Sequence, residues 1–271
     1  MVARSRVVDS VANPRLLTRI GFTDIDAYLR RIGYAGPREP TLATLRGMHR
    51  AHFYHVPFEN LDILARRRIE VDGAVNFAKV VNERRGGFCL ELSGLFARVL
   101  RELGFVVDVL GGRVMGDGKL SEPLSHMTLL VHLEEPWIAD VGFGGRIGMP
   151  LRLAERQPQE FESRQYVVAN DGDHWFVTCS EPGSPAGMYT FTLQPRAFDE
   201  FHEVCTWLQT SPDSRFTQGA IASLATDTGR RTLAGDRLIT TNGSVRDERI
   251  VASDDERTSI LREQFGLVVA V

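Results

Sequence analysis

The clearest hydrophobic pattern along the chain predicts a buried helix between Cys89 and Leu103. Apolar residues recur there at alternating spacings of three and four, which place them on one helix face. Gly104 follows directly and predicts the C-terminal end of this helix. The apolar positions are Leu92, Leu95, Phe96, Val99, Leu100 and Leu103.

Weaker patterns predict helices elsewhere. Thr23–Asp26 offers an N-cap before Ala27, and Pro40–Leu45 opens a second helix that extends to His52. After Pro195, the segment Phe198–Leu208 is also predicted to be helical. The C-terminal stretch mixes short strands with a helix near Asp254–Phe265.

Between Phe105 and Thr192 the pattern changes to short β-branched or aromatic runs separated by turn-forming residues. Gly111–Gly112 is one of the predicted turns, and Glu134–Pro136 is another. This pattern predicts an antiparallel sheet or a small barrel. The runs are Phe105–Leu110, Met127–Leu133, Trp137–Val141, Tyr166–Ala169 and Trp175–Cys179.

Composition narrows the function classes. The chain has 271 residues, 43% of them hydrophobic, with 32 basic and 35 acidic side chains. This near-neutral charge provides no clustered basic surface for nucleic acid. No apolar run is long enough to span a bilayer. Met1–Arg15 lacks the apolar core of a signal peptide, so we expect this segment to be a loose leader and the protein to be cytoplasmic. The three cysteines, odd in number and far apart, predict no disulfide framework.

One of these cysteines stands at a position suited to catalysis. Gly86 and Gly87 precede Cys89, and a glycine pair lets the backbone turn sharply and approach a ligand closely. Cys89 then begins the predicted helix, where the positive end of the helix dipole favours a thiolate. Its register with Leu92 and Phe96 places it on the inward face. The alternative is that Cys89 is a small buried hydrophobic residue.

A thiolate nucleophile needs a base and a group that orients the base. His126 opens one apolar run, and Asp140 lies in another, where a buried carboxylate needs a partner. A hairpin around Glu134–Pro136 with a three-residue loop pairs Leu130 with Asp140 and leaves His126 about 13 Å further along. A bulge, a strong twist or non-adjacent strands would then be needed to join them. A strand-end histidine and a salt-bridged aspartate remain the alternatives.

Five segments, in order along the chain, resemble motifs of the arylamine N-acetyltransferase family. Together they cover residues 20 to about 220 and are more specific than any one motif. The family usually carries Asn four residues after the cysteine, where this chain has Ser93, so a supporting hydrogen bond from that position does not carry over. The segments are His55–Asp62 (HVPFENLD), Arg85–Cys89 (RGGFC), Ser125–Leu129 (SHMTL), Asp140–Gly144 (DVGFG) and Leu208–Phe216 (LQTSPDSRF).

The resemblance implies an α+β, multidomain fold. Its parts would be an N-terminal helical bundle at 1–104 that carries the nucleophile, a central antiparallel β-barrel at 105–208, and a C-terminal α/β lid at 209–271. It also implies a catalytic triad of Cys89, His126 and Asp140, arranged as in cysteine proteases.

The activity implied by the resemblance is ping-pong transfer of an acetyl group. Acetyl-CoA would acetylate Cys89, and an arylamine, arylhydrazine or hydrazide would then take the acetyl group, as in xenobiotic metabolism and without a metal. By the same resemblance, the acceptor pocket would be lined by Phe58, Val114, Phe143 and Phe216. The contacts with CoA would come from Ser125, Gly144 and Ser214.

Three alternatives remain open from the sequence. An amide synthase that closes macrolactams in antibiotic biosynthesis would use the same triad with a carrier-protein donor. A thiol hydrolase shares the triad chemistry, and a non-catalytic module would use the cleft only to bind CoA or another ligand. Metal binding is disfavoured because His126 and His132 alone do not make a site. The sequence predicts no nucleic-acid or membrane partner and leaves the oligomeric state open.

Overall fold

A computed structural model of the protein describes residues 24–71 and 73–269. The leader expected at Met1–Arg15 lies outside these residues. The N-terminal part is mainly helical, as the sequence predicts. Its helices are α1 (Ile25–Ile32), α2 (Leu42–His55), α3 (Leu61–Leu64), α4 (Gly73–Phe77) and α5 (Cys89–Glu102), with a π-helical segment at Ala78–Asn82 between α4 and α5.

The predicted starts of the first two helices are confirmed by their caps. The Asp24 carboxylate accepts a hydrogen bond from the backbone N–H of Ala27 at 2.8 Å. The Thr41 hydroxyl accepts one from the N–H of Thr44 at 3.3 Å. Such side chains satisfy N–H groups that the first helical turn leaves unpaired. Gly33 ends α1 with a φ of 70°, a conformation that glycine adopts without strain.

Helix α5 forms the centre of the helical part. Its predicted apolar face is buried, including Leu92, Phe96 and Leu100. Leu103 caps the helix, and Gly104 follows with a φ of 88°. The predicted end of α5 is therefore confirmed, with glycine at the position where the chain leaves the helix.

An antiparallel sheet follows the helices and curls into a nearly closed barrel, which confirms the small-barrel prediction. Its strands run in the order β6-β5-β4-β2-β10-β9-β8-β7, and β3 pairs with β2. The gap between β6 and β7 is bridged by Gln159, whose side chain donates to the carbonyl of Arg152 at 3.0 Å and accepts from its N–H at 2.8 Å. The strands are β2 (Val106–Gly116), β3 (Lys119–Leu120), β4 (His126–His132), β5 (Pro136–Ala139), β6 (Leu151–Arg152), β7 (Gln159–Phe161), β8 (Arg164–Asp171), β9 (His174–Ser180) and β10 (Gly187–Pro195).

Strand β2 continues through Gly111 and Gly112, so the predicted turn there is wrong. A Cβ at Gly111 would lie 2.1 Å from the Leu124 side chain. A Cβ at Gly112 would lie 3.1 Å from the Thr190 carbonyl oxygen and 3.5 Å from His126 Cδ2. Glycine inside a strand often marks such a close approach. At these two positions glycine makes room for neighbouring groups.

The described residues also form a second antiparallel sheet and two further α-helices. The sheet order is β1-β11-β12-β13-β14, in which β1 comes from the helical part. Both predicted C-terminal helices are confirmed. The expected boundary at residue 208 falls within α6, and the division into three domains stays a prediction. The elements are β1 (Phe58–Glu59), α6 (His202–Thr210), β11 (Ile221–Thr226), β12 (Gly229–Ala234), β13 (Arg237–Asn242), β14 (Val245–Ile250) and α7 (Asp254–Phe265).

Alternating residues of β4 divide between two hydrophobic cores. Met127, Leu129 and Val131 pack with the helices. Leu130 packs inside the barrel, and successive strand residues point to opposite faces. His126 has the same parity as Leu130 and therefore belongs to the barrel side of the strand. Among the described residues, no helix is long and apolar enough to cross a bilayer.

Candidate active site

The start of α5 is anchored by a buried carboxylate. Glu91 Oε2 accepts a hydrogen bond from the N–H of Phe88 at 3.0 Å, and Glu91 Oε1 pairs with Lys79 Nζ at 2.8 Å. Burial, together with the nearby Glu59, raises the pKa of Glu91 to about 7, although Lys79 opposes the shift. Arg85 pairs with Glu59 at 2.8 Å and completes the network. These ion pairs hold the backbone at the first turn of α5.

The glycine pair before α5 is packed against the protein itself. A Cβ at Gly86 would lie 1.9 Å from the carbonyl oxygen of Pro57, and a Cβ at Gly87 would lie 2.9 Å from Glu91 Cβ. No side chain fits at Gly86 without moving the backbone of Pro57. The Cβ positions of both glycines therefore face groups of the protein itself, and a close approach of this backbone to a ligand stays a prediction. Their absent side chains let the start of α5 pack closely against neighbouring backbone.

Cys89 begins α5 and faces inward. Its exposure is 3%, and it lies in the same apolar cluster as Leu92 and Phe96, which confirms the predicted register. Its thiol donates a hydrogen bond to the carbonyl of Ser125 at 3.3 Å. Because Ser125 immediately precedes His126, this bond ties the start of α5 to the start of β4.

His126 and Asp140 are joined by a hydrogen bond of 2.7 Å between Nε2 and Oδ2. The hairpin of β4 and β5 pairs Leu130 with Ile138, so its loop comprises residues 133–135 and the predicted pairing of Leu130 with Asp140 is wrong by two residues. In the observed register, Asp140 follows β5 at a position diagonal to His126. Diagonal neighbours on antiparallel strands are within reach of long side chains. The hairpin therefore brings the two side chains together without a bulge or a non-adjacent strand.

The turn after β5 is held on two sides. The N–H of Gly142 donates to Asp140 Oδ1 at 2.9 Å, and the N–H of Asp140 donates to His49 Nε2 at 3.1 Å. Gly142 also lies tightly against α5, since a Cβ there would be 2.8 Å from Ser93 Oγ and 2.9 Å from Cys89 Cα. The Asp140 carboxylate is thus fixed close to the start of α5.

The electrostatics of this group favour a protonated histidine. Burial disfavours the charged imidazole, but the charge and hydrogen bond of Asp140, together with Cys89, outweigh burial and raise the pKa of His126 to about 10. An imidazole with this pKa holds its proton at neutral pH. Because Nε2 faces Asp140, Nδ1 is the nitrogen left to exchange a proton with a thiol.

Aromatic side chains pack around His126. The ring centroids of His126 and Tyr189 are 4.6 Å apart, and those of His126 and Phe143 are 5.5 Å apart. Val114 on β2 pairs with Tyr189 on β10. Two of the predicted pocket residues, Phe143 and Val114, therefore lie beside the histidine or its aromatic neighbour.

The other two predicted pocket residues contact one another. The ring centroid of Phe216 lies 6.1 Å from that of Phe58 and 5.5 Å from that of Phe88. Asn60 holds the Phe216 segment, because its amide donates to the carbonyls of Phe216 and Gly219, each at 2.8 Å. This aromatic pair is placed by a loop that Asn60 ties to the helical part.

The residues expected to contact CoA have different surroundings. The Ser125 hydroxyl lies 2.5 Å from that of Ser121. The Ser214 hydroxyl is buried and donates to the carbonyl of Leu208 at 2.6 Å, which supports its own loop. Gly144 has a φ of 63°, and a Cβ there would meet open space. Contacts between these residues and CoA stay predictions.

A surface groove of about 430 Å³ lies outside this group, and none of the predicted site residues lines it. The groove is lined by Arg50, Tyr54, His55, Leu224, Ala225, Thr226, Asp227, Arg231 and Gln264.

Over residues 24–71 and 73–269, no set of three or more His, Cys, Asp or Glu side chains is arranged to hold a metal ion.

Two residues of the site, His49 and Tyr189, were not among those predicted from the sequence. His49 lies on the buried side of α2 together with Leu45 and Met48. A histidine at an apolar helical position is the signal that could have found it. Tyr189 lies in the apolar strand β10, where no sequence feature distinguishes it from an ordinary core tyrosine.

Comparison with known proteins assigns this chain to a class. A family model described as N-acetyltransferase matches residues 41–271. The arylamine N-acetyltransferase of Escherichia coli (strain K12) is 35% identical over 250 residues, covering 90% of this chain and 89% of that protein. The chain belongs to the arylamine N-acetyltransferase family, which confirms the resemblance seen in its motifs.

Solved structures agree with this assignment. The arylamine N-acetyltransferase of Mycobacterium smegmatis matches with a TM-score of 0.85 and 32% identity, covering 90% of this chain and 92% of that one. The Mycobacterium marinum arylamine N-acetyltransferase in complex with CoA matches with a TM-score of 0.84 and 30% identity, covering 90% and 93%.

Proposed function

We propose that this chain is an enzyme that transfers the acetyl group of acetyl-CoA to arylamines, arylhydrazines or hydrazides. The observation that carries the proposal is the buried Cys89 thiol beside the hydrogen-bonded pair of His126 and Asp140, in which the pKa of His126 is raised to about 10. Membership of the family and the CoA complex of a relative support acetyl-CoA as the donor.

In the first half-reaction, the Cys89 thiolate attacks the carbonyl carbon of the thioester. A C–S bond to Cys89 forms, the bond to the CoA sulfur breaks, and protonated His126 gives its Nδ1 proton to the departing sulfur. Asp140, which accepts from Nε2, keeps the ring oriented and stabilises its positive charge. The products are acetyl-Cys89, neutral His126 and CoA.

In the second half-reaction, the neutral amine attacks the acetyl-thioester. A C–N bond forms, the C–S bond to Cys89 breaks, and a proton of the amine passes to Nδ1 of His126. The thiolate and the protonated imidazole are restored, and the amide leaves. The proton that His126 loses to CoA in the first half-reaction is therefore replaced by one from the amine in the second.

The acceptor is proposed to bind between the aromatic residues. Phe58 with Phe216 on one side, and Phe143 with Val114 on the other, would line the pocket, because flat aryl rings pack well against aromatic faces. The contacts with CoA are proposed to come from Ser125, Gly144 and Ser214. Open space beside the Gly144 Cα supports its part in this assignment.

Cys89→Ser tests the proposed nucleophile. The protein is incubated with acetyl-CoA and 4-methoxyaniline, and the N-acetylated amine is measured by chromatography. We expect turnover to fall by roughly 10⁴-fold or more, as for other triad nucleophiles. Cys179→Ser is the matched control, since Cys179 is also a buried free thiol, but it lies on β9 and donates a hydrogen bond to the backbone carbonyl of Arg146. Undiminished turnover in Cys89→Ser would refute the assignment.

The same incubation separates the alternative functions. Release of acetate that outpaces transfer to the amine would indicate a thiol hydrolase. No acyl adduct with any acyl-CoA would favour a carrier-protein-dependent amide synthase or a non-catalytic binding module. The proposed chemistry needs Cys89 as a free thiol, which is compatible with the cytoplasmic location expected from the sequence.

A further inference from the structure

Asp140 is held by a histidine that the proposed mechanism does not use. His49 lies on α2 with no exposed surface, and its Nε2 accepts the hydrogen bond from the N–H of Asp140 at 3.1 Å. Helix α2 belongs to the helical part, whereas Asp140 follows β5 of the barrel. This bond is therefore a direct polar link between the two parts at the carboxylate that orients His126.

His49 must be neutral to make this bond, because a ring nitrogen accepts only when it carries no proton. Burial lowers the pKa of His49 to about 4, although the charge of Asp140 opposes the shift. The ring of Phe96 lies edge-on at 5.9 Å and contributes apolar surroundings. His49 is consequently a hydrogen-bond acceptor at every pH at which a thiolate mechanism operates.

The N–H of Asp140 is buried and needs an acceptor. If that acceptor were lost, the turn could shift, and the shift would move both carboxylate oxygens from their partners, His126 and the N–H of Gly142. We propose that His49 is a positioning residue for acetyl transfer, which fixes the backbone of Asp140 so that the carboxylate meets His126. This inference rests on the proposed function, because His49 acts only through Asp140.

His52 provides a matched control on the same helix. It lies about one turn later than His49, has no exposed surface, and its ring centroid is 5.8 Å from that of Phe96. Its Nδ1, however, bonds to the hydroxyl of Tyr28 at 2.7 Å rather than to the barrel. A purely structural role for buried histidines of α2 predicts equal effects at both positions, whereas positioning predicts an effect on chemistry at His49 alone.

The test compares His49→Phe, His49→Gln, His52→Phe and Asp140→Asn in the full-length chain. The readouts are the rate of Cys89 alkylation by iodoacetamide as a function of pH, the rate of acetyl-enzyme formation from acetyl-CoA, and the Tm. A weaker hold on Asp140 destabilises the protonated His126, so the thiolate needs a higher pH to form. Tyr189 also packs against the imidazole ring of His126. It stays neutral because burial raises the pKa of its hydroxyl well above the usual range.

We expect His49→Phe to move the pH midpoint of alkylation upward and to slow acetylation by about 10²-fold, as for a misplacement of about 1 Å. Glutamine can present Oε1 as an acceptor, so His49→Gln restores most of the rate. His52→Phe keeps the wild-type midpoint even where it lowers the Tm as much.

Equal pH profiles for His49→Phe, His52→Phe and wild type would overturn the positioning role. A wild-type profile for Asp140→Asn would instead overturn the proposed function of Asp140, so the two failures are distinguishable. If His49→Phe does not fold, His49→Leu carries the same test. Unfolding of both apolar variants beside a folded His52→Phe would contradict a role confined to positioning.

Discussion

Gly142→Ala adds a single methyl group at the point where the Asp140 turn meets α5. The new Cβ would lie 2.8 Å from Ser93 Oγ, 2.9 Å from Cys89 Cα and 3.1 Å from the Cys89 carbonyl oxygen. Two of these atoms are backbone, and the third belongs to a short side chain on the same helix. No rotamer change relieves all three contacts, so either the turn or the start of α5 must move.

The expected cost follows from this geometry. Forcing a methyl group into a packed interior typically destabilises by about 1–3 kcal/mol. At roughly 2–4 °C per kcal/mol for a chain of this size, the Tm falls by about 2–12 °C. Activity should suffer more, because the movement separates Cys89 from Asp140, whose carboxylate the Gly142 N–H holds at 2.9 Å. A displacement of about 1 Å corresponds to roughly 10²-fold in rate.

Thermal unfolding and the rate of acetylation by acetyl-CoA measure the two effects separately. Gly219→Ala is the control, because a Cβ there would meet nothing within 4 Å and its φ is not left-handed. Adding Ser93→Ala to Gly142→Ala removes the hydroxyl contact but neither backbone contact, so we expect only partial rescue. A Gly142→Ala variant with the Tm and acetylation rate of the Gly219→Ala protein would refute this reasoning.

Three further changes test other parts of the site. Folding raises the pKa of Glu91 from 4.5 to about 7, so between these pH values the folded state binds more protons than the unfolded state. The free energy of unfolding of the wild type should therefore fall as pH rises through this range. Glu91→Gln should remove that fall, as measured by urea titrations at pH 5 and 7.5. Asn60→Ala frees the Phe216 loop, so KM for the arylamine should rise several-fold, and an unchanged KM would count against the pocket assignment. In Gly86→Ala, a Cβ 1.9 Å from the Pro57 carbonyl oxygen should lower the Tm more than Gly142→Ala does.

The helical part was largely predictable because its signals are local. The apolar spacing in α5 and the glycine at residue 104 determine where that helix lies and ends, and the Asp24 and Thr41 caps do the same for α1 and α2. The inward position of Cys89 follows from the same spacing. These features depend on contacts between residues a few positions apart in the chain.

The hairpin that joins His126 to Asp140 was predictable in kind but not in register. The turn formers locate the loop only to within a residue or two, and the pairing of β4 with β5 places it at residues 133–135. A slip of two residues keeps every side chain on its face but changes which side chains meet. This is why the sequence predicted the face of Asp140 correctly and its distance from His126 incorrectly.

Two contacts between distant segments could not be predicted from local sequence patterns. The Gly111–Gly112 pair has the composition of a turn, yet its glycines are explained by Leu124, Thr190 and His126, which come from other parts of the fold. The hydrogen bond from Asp140 to His49 spans 91 positions of the chain. Such pairings become visible only when the helices and the barrel are seen together.

The most direct test of the proposed mechanism is the intact mass of the protein after rapid mixing with acetyl-CoA in the absence of an amine. We expect a mass increase of one acetyl group, located by peptide mapping on Cys89, that disappears in step with amide formation when an arylamine is added. Amide formation without any acetylated protein, or acetylation at a residue other than Cys89, would contradict transfer through this thiol.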